Sequence, residues 1–192
     1  VANAAMHTAT IPLLLTCAFY DIFIEGMFGM WAALPDDIRR RSAFIVTPYN
    51  HDIMGAEAPL TFENASLREQ CPDFNYDWFN HVRTGSPLTF FQPGRITYFP
   101  CFGREWRSVE SLADGDKAWT LHLNERTLDA APGPGGERRY VYNPAAPARF
   151  PGGVCNTFGG MRPQDPPDSR YDILSFLGAP VGARHLFEGT GD

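Results

Sequence analysis

The chain has 192 residues, and 44% of them are hydrophobic, enough for a packed core and too many for a disordered chain. Its 16 basic and 22 acidic side chains leave a net charge of −6, which argues against a nucleic-acid partner, since a basic stripe would be needed. No apolar run reaches the ~20 residues that span a bilayer, so no membrane partner is expected either.

The first element is the continuous apolar run "IPLLLTCAF" at 11–19. It fits a strand covered on both faces, as in a parallel sheet. Residues 22–34 follow with helical spacing at Phe23, Met27, Met30, Trp31 and Leu34, and Pro35 with Asp36 ends the pattern. The triple arginine Arg39, Arg40, Arg41 reads as a solvated lead-in to a second buried strand at 43–47. Residues 12–47 are thus a strand, a helix and a strand, the pattern of a parallel crossover.

A loop is expected over 52–72. The run "YDWFNHVRTG" at 76–85 predicts a short helix with Tyr76, Phe79 and Val82 on one face and Gly85 as its C-cap. After that the texture changes. Short alternating runs stand at 95–99, 117–123, 138–142 and 171–176, separated by turn formers such as "DGD" and "APGPGGE". In the second of these, Trp119, Leu121 and Leu123 share one face and Thr120 and His122 the other. The Pro-rich "NPAAPARFPGG" at 143–153 is an expected extended connector. The fold class is therefore α/β plus all-β. An α/β piece covers about 1–90, and a β-sandwich piece covers about 91–192. Neither looks complete, and Val1 opens in the middle of apparent structure, so residues are expected upstream.

Cys17, Cys71, Cys101 and Cys155 form no CxxC pair, which leaves the redox compartment open. Cys17 is expected to be a buried free thiol. His7, His81, His122 and His185 lack ligand-type spacing. Neither a metal nor another cofactor is expected. Trp31 and Trp119 are expected in the core.

The chemistry-bearing pair is Asp21 and His51. In parallel α/β sheets, functional groups collect outside the carboxyl ends of the strands. Asp21 stands just past the first strand and His51 just past the second, after "TPYN". A crossover brings those ends side by side, so the carboxylate is expected within hydrogen-bond reach of the imidazole, as an orienting acid and a general base. The competing readings are a helix N-cap for Asp21 and an ordinary loop residue for His51. Acid then histidine matches the end of the chain order Ser…Asp…His. No G-x-S-x-G occurs in the 192 residues.

The segment "IPLLLTCAFYDIFIEGMFGMW" resembles the acid segment of cocaine-esterase and Xaa-Pro dipeptidyl-peptidase type hydrolases, the CocE/NonD group. "AFIVTPYNH" is similar to their histidine segment, and "YDWFNHVRTG" to their W-F-D-x-W helix. "RITYFPCFGREWRSVESL", "YVYNPAAPARFPGG" and "QDPPDSRYDILSFLGAPV" resemble later segments in the same order. The resemblance implies the C-terminal part of an α/β-hydrolase domain over 1–90 and a truncated jelly roll over 91–192. It implies Asp21 and His51 as catalytic residues, with the nucleophilic serine upstream. The partner it implies is a small-molecule ester or peptide substrate. Departures lie at Thr47, Tyr49, Asn80 and Asn143. Relatives that act on α-amino acid esters carry acidic residues two and three positions after the aspartate, where this chain has Phe23 and Ile24. Phe23 is therefore a candidate wall of an apolar acyl pocket, with Glu25 on a solvated side and Asp52 an exposed loop carboxylate. A non-catalytic β-sandwich module that binds, for example, carbohydrate is the alternative function.

Overall fold

The computed structural model describes residues 5–54, 62–112, 120–148, 152–154, 159–162, 170 and 172–183. Two compact units divide the chain. One comprises Val1–Leu112 with Gly152–Arg162, the other Ala113–Pro151 with Pro163–Asp192.

The first unit is built on a four-stranded sheet in the order β1 (Leu14–Ala18), β2 (Ala43–Thr47), β3 (Ile96–Tyr98), β4 (Arg107–Val109). β1, β2 and β3 run parallel, and β4 runs antiparallel to β3. The connection from β1 to β2 carries helices α1 (Ile24–Ala33) and α2 (Asp36–Arg39). The one from β2 to β3 carries α3 (Leu67–Gln70) and α4 (Phe74–Thr84).

The strand alternation divides the core into two layers. Leu15, Cys17, Phe44, Val46, Ile96 and Tyr98 meet Trp31, Leu34 and Ile38 from the α1–α2 segment. Ala43 and Ile45 face the opposite way, onto Leu67, Phe74, Trp78 and Phe91. Every residue of β2 is buried, the pattern of a parallel strand covered on both faces. Side chains of the Leu and Phe class gain about 1.5–3 kcal/mol each from such burial. Trp31 and Cys17 lie in this core, as the sequence predicts, and Cys17 is a free thiol. The arginine run is half-buried to exposed, with Arg39 paired to Asp36 and Arg41 to Asp37.

Helix α4 differs from its predicted face. Tyr76, Phe79 and Val82 are exposed, and Phe74 and Trp78 are buried instead. One stripe of Tyr, Phe and Val and another of Phe and Trp share this short helix, and the sheet selects the latter. Gly85 closes the helix at φ 75°, donating its N–H to His81 O at 2.8 Å. That left-handed turn is the expected C-cap.

The run at 95–99, read from the sequence with the later short strands, pairs as β3 with β2 and completes the sheet. The second unit has one described ladder, β5 (His122–Leu123) against β6 (Leu128–Asp129), and an isolated bridge between Thr127 and Leu177. Among the described residues, the runs predicted as strands at 138–142 and 171–176 carry no strand. Alternation makes a strand only where a neighbouring backbone takes up its N–H and C=O groups. Tyr140, Val141 and Tyr142 are exposed instead. The predicted faces are also reversed at the end of 117–123, where Leu123 is exposed and His122 half-buried. Trp119, Cys155 and His185 lie outside the described residues.

Candidate active site

The carboxyl ends of β1, β2 and β3 form one edge of the sheet, and the backbone ties them together beyond the strands. Phe19 N–H donates to Thr47 O at 3.0 Å, Tyr20 N–H to Tyr49 O at 3.0 Å, and Phe99 N–H to Val46 O at 3.1 Å. The ladder therefore continues into the segments that hold Asp21 and His51. The two side chains meet there: His51 Nδ1 lies 3.1 Å from Asp21 Oδ2 and 3.2 Å from Oδ1.

Asp21 is buried, and the His51 side chain is 45% exposed. One partner is thus fixed in the protein and the other faces solvent. A carboxylate accepts hydrogen bonds only, so Nδ1 is the donor of this pair, and in the neutral imidazole that tautomer leaves Nε2 as an acceptor. Asp21 Oδ1 also accepts the Phe23 N–H at 2.9 Å, and Asp21 O accepts the Ile24 N–H at 3.1 Å. The N-cap position of α1 is Phe23, not Asp21, and its side chain makes no capping bond. Asp21 therefore supports the helix entry from two residues upstream while pairing with His51. Burial, and then the Asp21 carboxylate, pushes the Cys17 thiol far above its ordinary range.

Phe23 falls outside the α1 apolar stripe that the spacing assigns it. It is 56% exposed, and its ring meets the His51 imidazole edge-on, with centroids 5.5 Å apart. Glu25 is exposed, as expected from its side of the helix. Asp52 is half-buried and accepts the Met54 N–H at 3.3 Å, so it shapes the histidine loop. Tyr49 and Thr47, where the chain departs from the resembling pattern, are both buried.

Sequence reasoning missed Asn50 and Phe102. Asn50 is buried beside His51. Its Oδ1 accepts the Asp52 N–H at 3.0 Å, and its Nδ2 donates to Gly159 O at 3.4 Å. Only its place in "PYNH" marks it in sequence. Phe102 follows β3 in a turn closed by the Gly103 N–H on Pro100 O at 2.7 Å. Its φ is 57°, a left-handed conformation that costs an L-residue about 1–2 kcal/mol. The signal was "PCFG", a turn with a bulky residue where glycine or asparagine is usual. Gly103 fits because a Cβ there would stand 2.7 Å from Pro100 O.

No family model and no curated protein matches this sequence. A solved structure does. The chain shares its fold with an aminopeptidase. That protein is the aminopeptidase from the marine sediment archaeon Thaumarchaeota archaeon, with a TM-score of 0.59 at 20% sequence identity. The match covers 81% of this chain and 27% of the aminopeptidase, so the chain spans about a quarter of that protein's length. At that identity the likeness is one of fold.

His7 and His81 stand apart from this edge in sequence, and His81 Nδ1 lies 2.8 Å from Ser86 O. Among the described residues, no group of three or more His, Cys, Asp or Glu side chains is placed to hold a metal ion. No described helix is long and apolar enough to cross a membrane.

Proposed function

We propose that this chain carries the acid–histidine half of a serine-hydrolase active site, acting by acyl transfer on ester or peptide bonds. The observation that carries the proposal is the buried Asp21 carboxylate 3.1 Å from the half-exposed His51 at the carboxyl edge of a parallel sheet. The resemblance to the CocE/NonD hydrolases and the fold shared with an aminopeptidase support the same class. On this reading the α/β-hydrolase part lies over about 1–90, with β3 and β4 extending its sheet, and a jelly roll follows.

In the proposed reaction Asp21 holds the Nδ1–H tautomer of His51. Nε2 removes the proton from a serine hydroxyl supplied by sequence upstream of this chain. The serine oxygen attacks the carbonyl carbon, and Asp21 stabilises the imidazolium that results. His51 then gives that proton to the leaving alkoxide or amine as its bond to the carbonyl carbon breaks, which leaves the acyl–serine ester. Water, deprotonated by the same nitrogen, releases the acid.

The structural neighbour is an aminopeptidase, which points to substrates with a free amino terminus. Phe23 and Ile24 argue for a neutral acyl group, because neither offers an ionic partner to an ammonium that gives up part of its hydration beside them. The test is kcat/KM of the natural full-length protein on a benzoyl ester and on the matching α-amino acyl ester. A preference for the benzoyl ester is expected, and a tenfold preference for the amino substrate would reverse the assignment. A serine-directed covalent probe should label the full-length protein and not the 192-residue chain. Labelling of the chain itself would overturn the placement of the nucleophile.

The alternative of a non-catalytic binding module has one observation in its favour. The second unit holds an open cleft of about 800 Å³, bordered by Arg126, Glu137, Arg138 and Phe176. Oligosaccharide binding that survives both Asp21→Asn and His51→Ala, with no turnover in the unsubstituted protein, would favour it.

A further inference from the structure

Two phenylalanines stand out at the sheet edge that carries Asp21 and His51. Phe23 follows β1 and leans on the imidazole. Phe102 follows β3 and is 67% exposed. Its ring stands edge-on to Phe62 at 5.6 Å, and Phe62 lies 6.4 Å from Tyr49 and 6.4 Å from Phe99. A row of rings thus runs from the end of β3 to the segment that ends in His51.

Folding alone accounts poorly for Phe102. The position needs a left-handed backbone, which glycine adopts freely and phenylalanine resists. The ring gains little burial to offset that strain. Residues kept in unfavourable conformations gather at ligand-binding positions, because ligand contacts supply the reason to keep them. An exposed ring at the carboxyl end of a parallel strand is where an α/β sheet receives its ligand.

We propose that Phe102 is a specificity-determining residue, presented by a strained turn to receive the phenyl-sized apolar group of a neutral ester or amide. The inference rests on the acyl-transfer reading of Asp21 and His51, and it adds a second residue that selects the substrate. Phe23 and Phe102 supply apolar surface on two of the three strand ends. Edge and face contacts between the two rings and a substrate ring would orient the carbonyl.

The experiment uses Phe102→Gly in the natural full-length protein. Two substrate pairs are compared, phenyl against methyl: p-nitrophenyl benzoate with p-nitrophenyl acetate, and benzyl acetate with methyl acetate. The phenyl-to-methyl ratio of kcat/KM should fall at least tenfold in one pair, and that pair tells whether the ring serves the acyl or the leaving group. Thermal stability should hold or rise, because glycine relieves the turn. An unchanged ratio in both pairs overturns the proposal, and so does a melting temperature lowered by several degrees, which would make the ring structural. His51→Ala is run in parallel. If that variant keeps its turnover, the acyl-transfer reading fails, and Phe102 is judged by NMR titration of the chain with benzyl methyl ketone. Saturable shifts that weaken at least fivefold in Phe102→Gly then support an aromatic-binding role, and their absence ends it.

Discussion

The two units of this chain use hydrophobic residues in opposite ways. In the first, strands of alternating side chains are covered by helices, and the fully buried aromatic and aliphatic side chains lie there. In the second, no described residue is buried, and Leu123, Tyr140, Val141, Tyr142 and Leu177 are exposed. The difference is one of geometry more than of composition. A parallel strand with helices on both faces removes nearly all its apolar area from water. A two-residue ladder has too few neighbours to do so. The site follows the same division: the close acid–imidazole pair sits where a rigid sheet holds both partners.

The sharpest way to break the comparison is to cut the site out of the rigid unit. In the full-length protein, His51→Ala should lower kcat by about three to four powers of ten, since members of such a site act together. Tyr140→Ala in the second unit should change it by less than about twofold. Equal effects in a kinetic assay would show that the sheet edge is not the active site.

Core truncation comes next. Phe44 is fully buried, with ring neighbours Phe28 at 5.1 Å and Trp31 at 5.9 Å. Phe44→Ala should cost about 3–5 kcal/mol in urea unfolding. The exposed Val141→Ala should stay within about 0.5 kcal/mol. A large loss at Val141 would mean that the second unit has a core after all.

Hydrogen exchange measures the contrast directly. Amides of Ile45 and Val46, in the strand flanked on both sides, should exchange at least about a hundredfold more slowly than those of β5. Similar protection in both units would remove the distinction.

Alkaline pH sharpens it further. Burial, then the Asp77 and Asp73 carboxylates, pushes the Cys71 thiol up to about 11 from an ordinary 9.0. Burial likewise holds Cys101 at about 11. Below pH 9 both the folded and the unfolded chain keep these protons, so stability is unaffected. Between pH 9 and 11 the unfolded chain releases them and the folded chain does not, so stability falls as pH rises. The urea midpoint of the first unit should drop over that window, and the drop should shrink in Cys71→Ala. A midpoint independent of pH would place these thiols in water.

The smallest effect concerns β3. The Thr97 hydroxyl is buried with no partner among the described residues. Thr97→Val should be neutral or stabilising by up to about 1 kcal/mol. A loss of more than that would reveal a hydrogen bond to this hydroxyl.

Periodicity and strand-end logic made much of the first unit legible. β1, α1, β2, α4 and β3 fall where apolar runs and helical spacing place them, and Asp21 with His51 follow from being next after two consecutive strands. Asp21 also shows why the N-cap and catalytic readings competed: one oxygen serves both the Phe23 N–H and His51. The second unit was less legible because alternation at 138–142 and 171–176 describes one side of a pairing and cannot supply the other.

By itself, then, the sequence determined where β1, α1, β2, α4 and β3 lie but not α3, which falls in the loop expected over 52–72, nor β4; it also determined that β2 would be buried on both faces and which two polar side chains terminate adjacent strands. These are local consequences of side-chain spacing. Tertiary structure decided which face of α4 is buried, that 95–99 joins the parallel sheet, that Phe23 turns out onto His51, and that Phe102 is held at positive φ. Each of those depends on which surface arrives opposite a segment, and a segment's own residues cannot specify its neighbour.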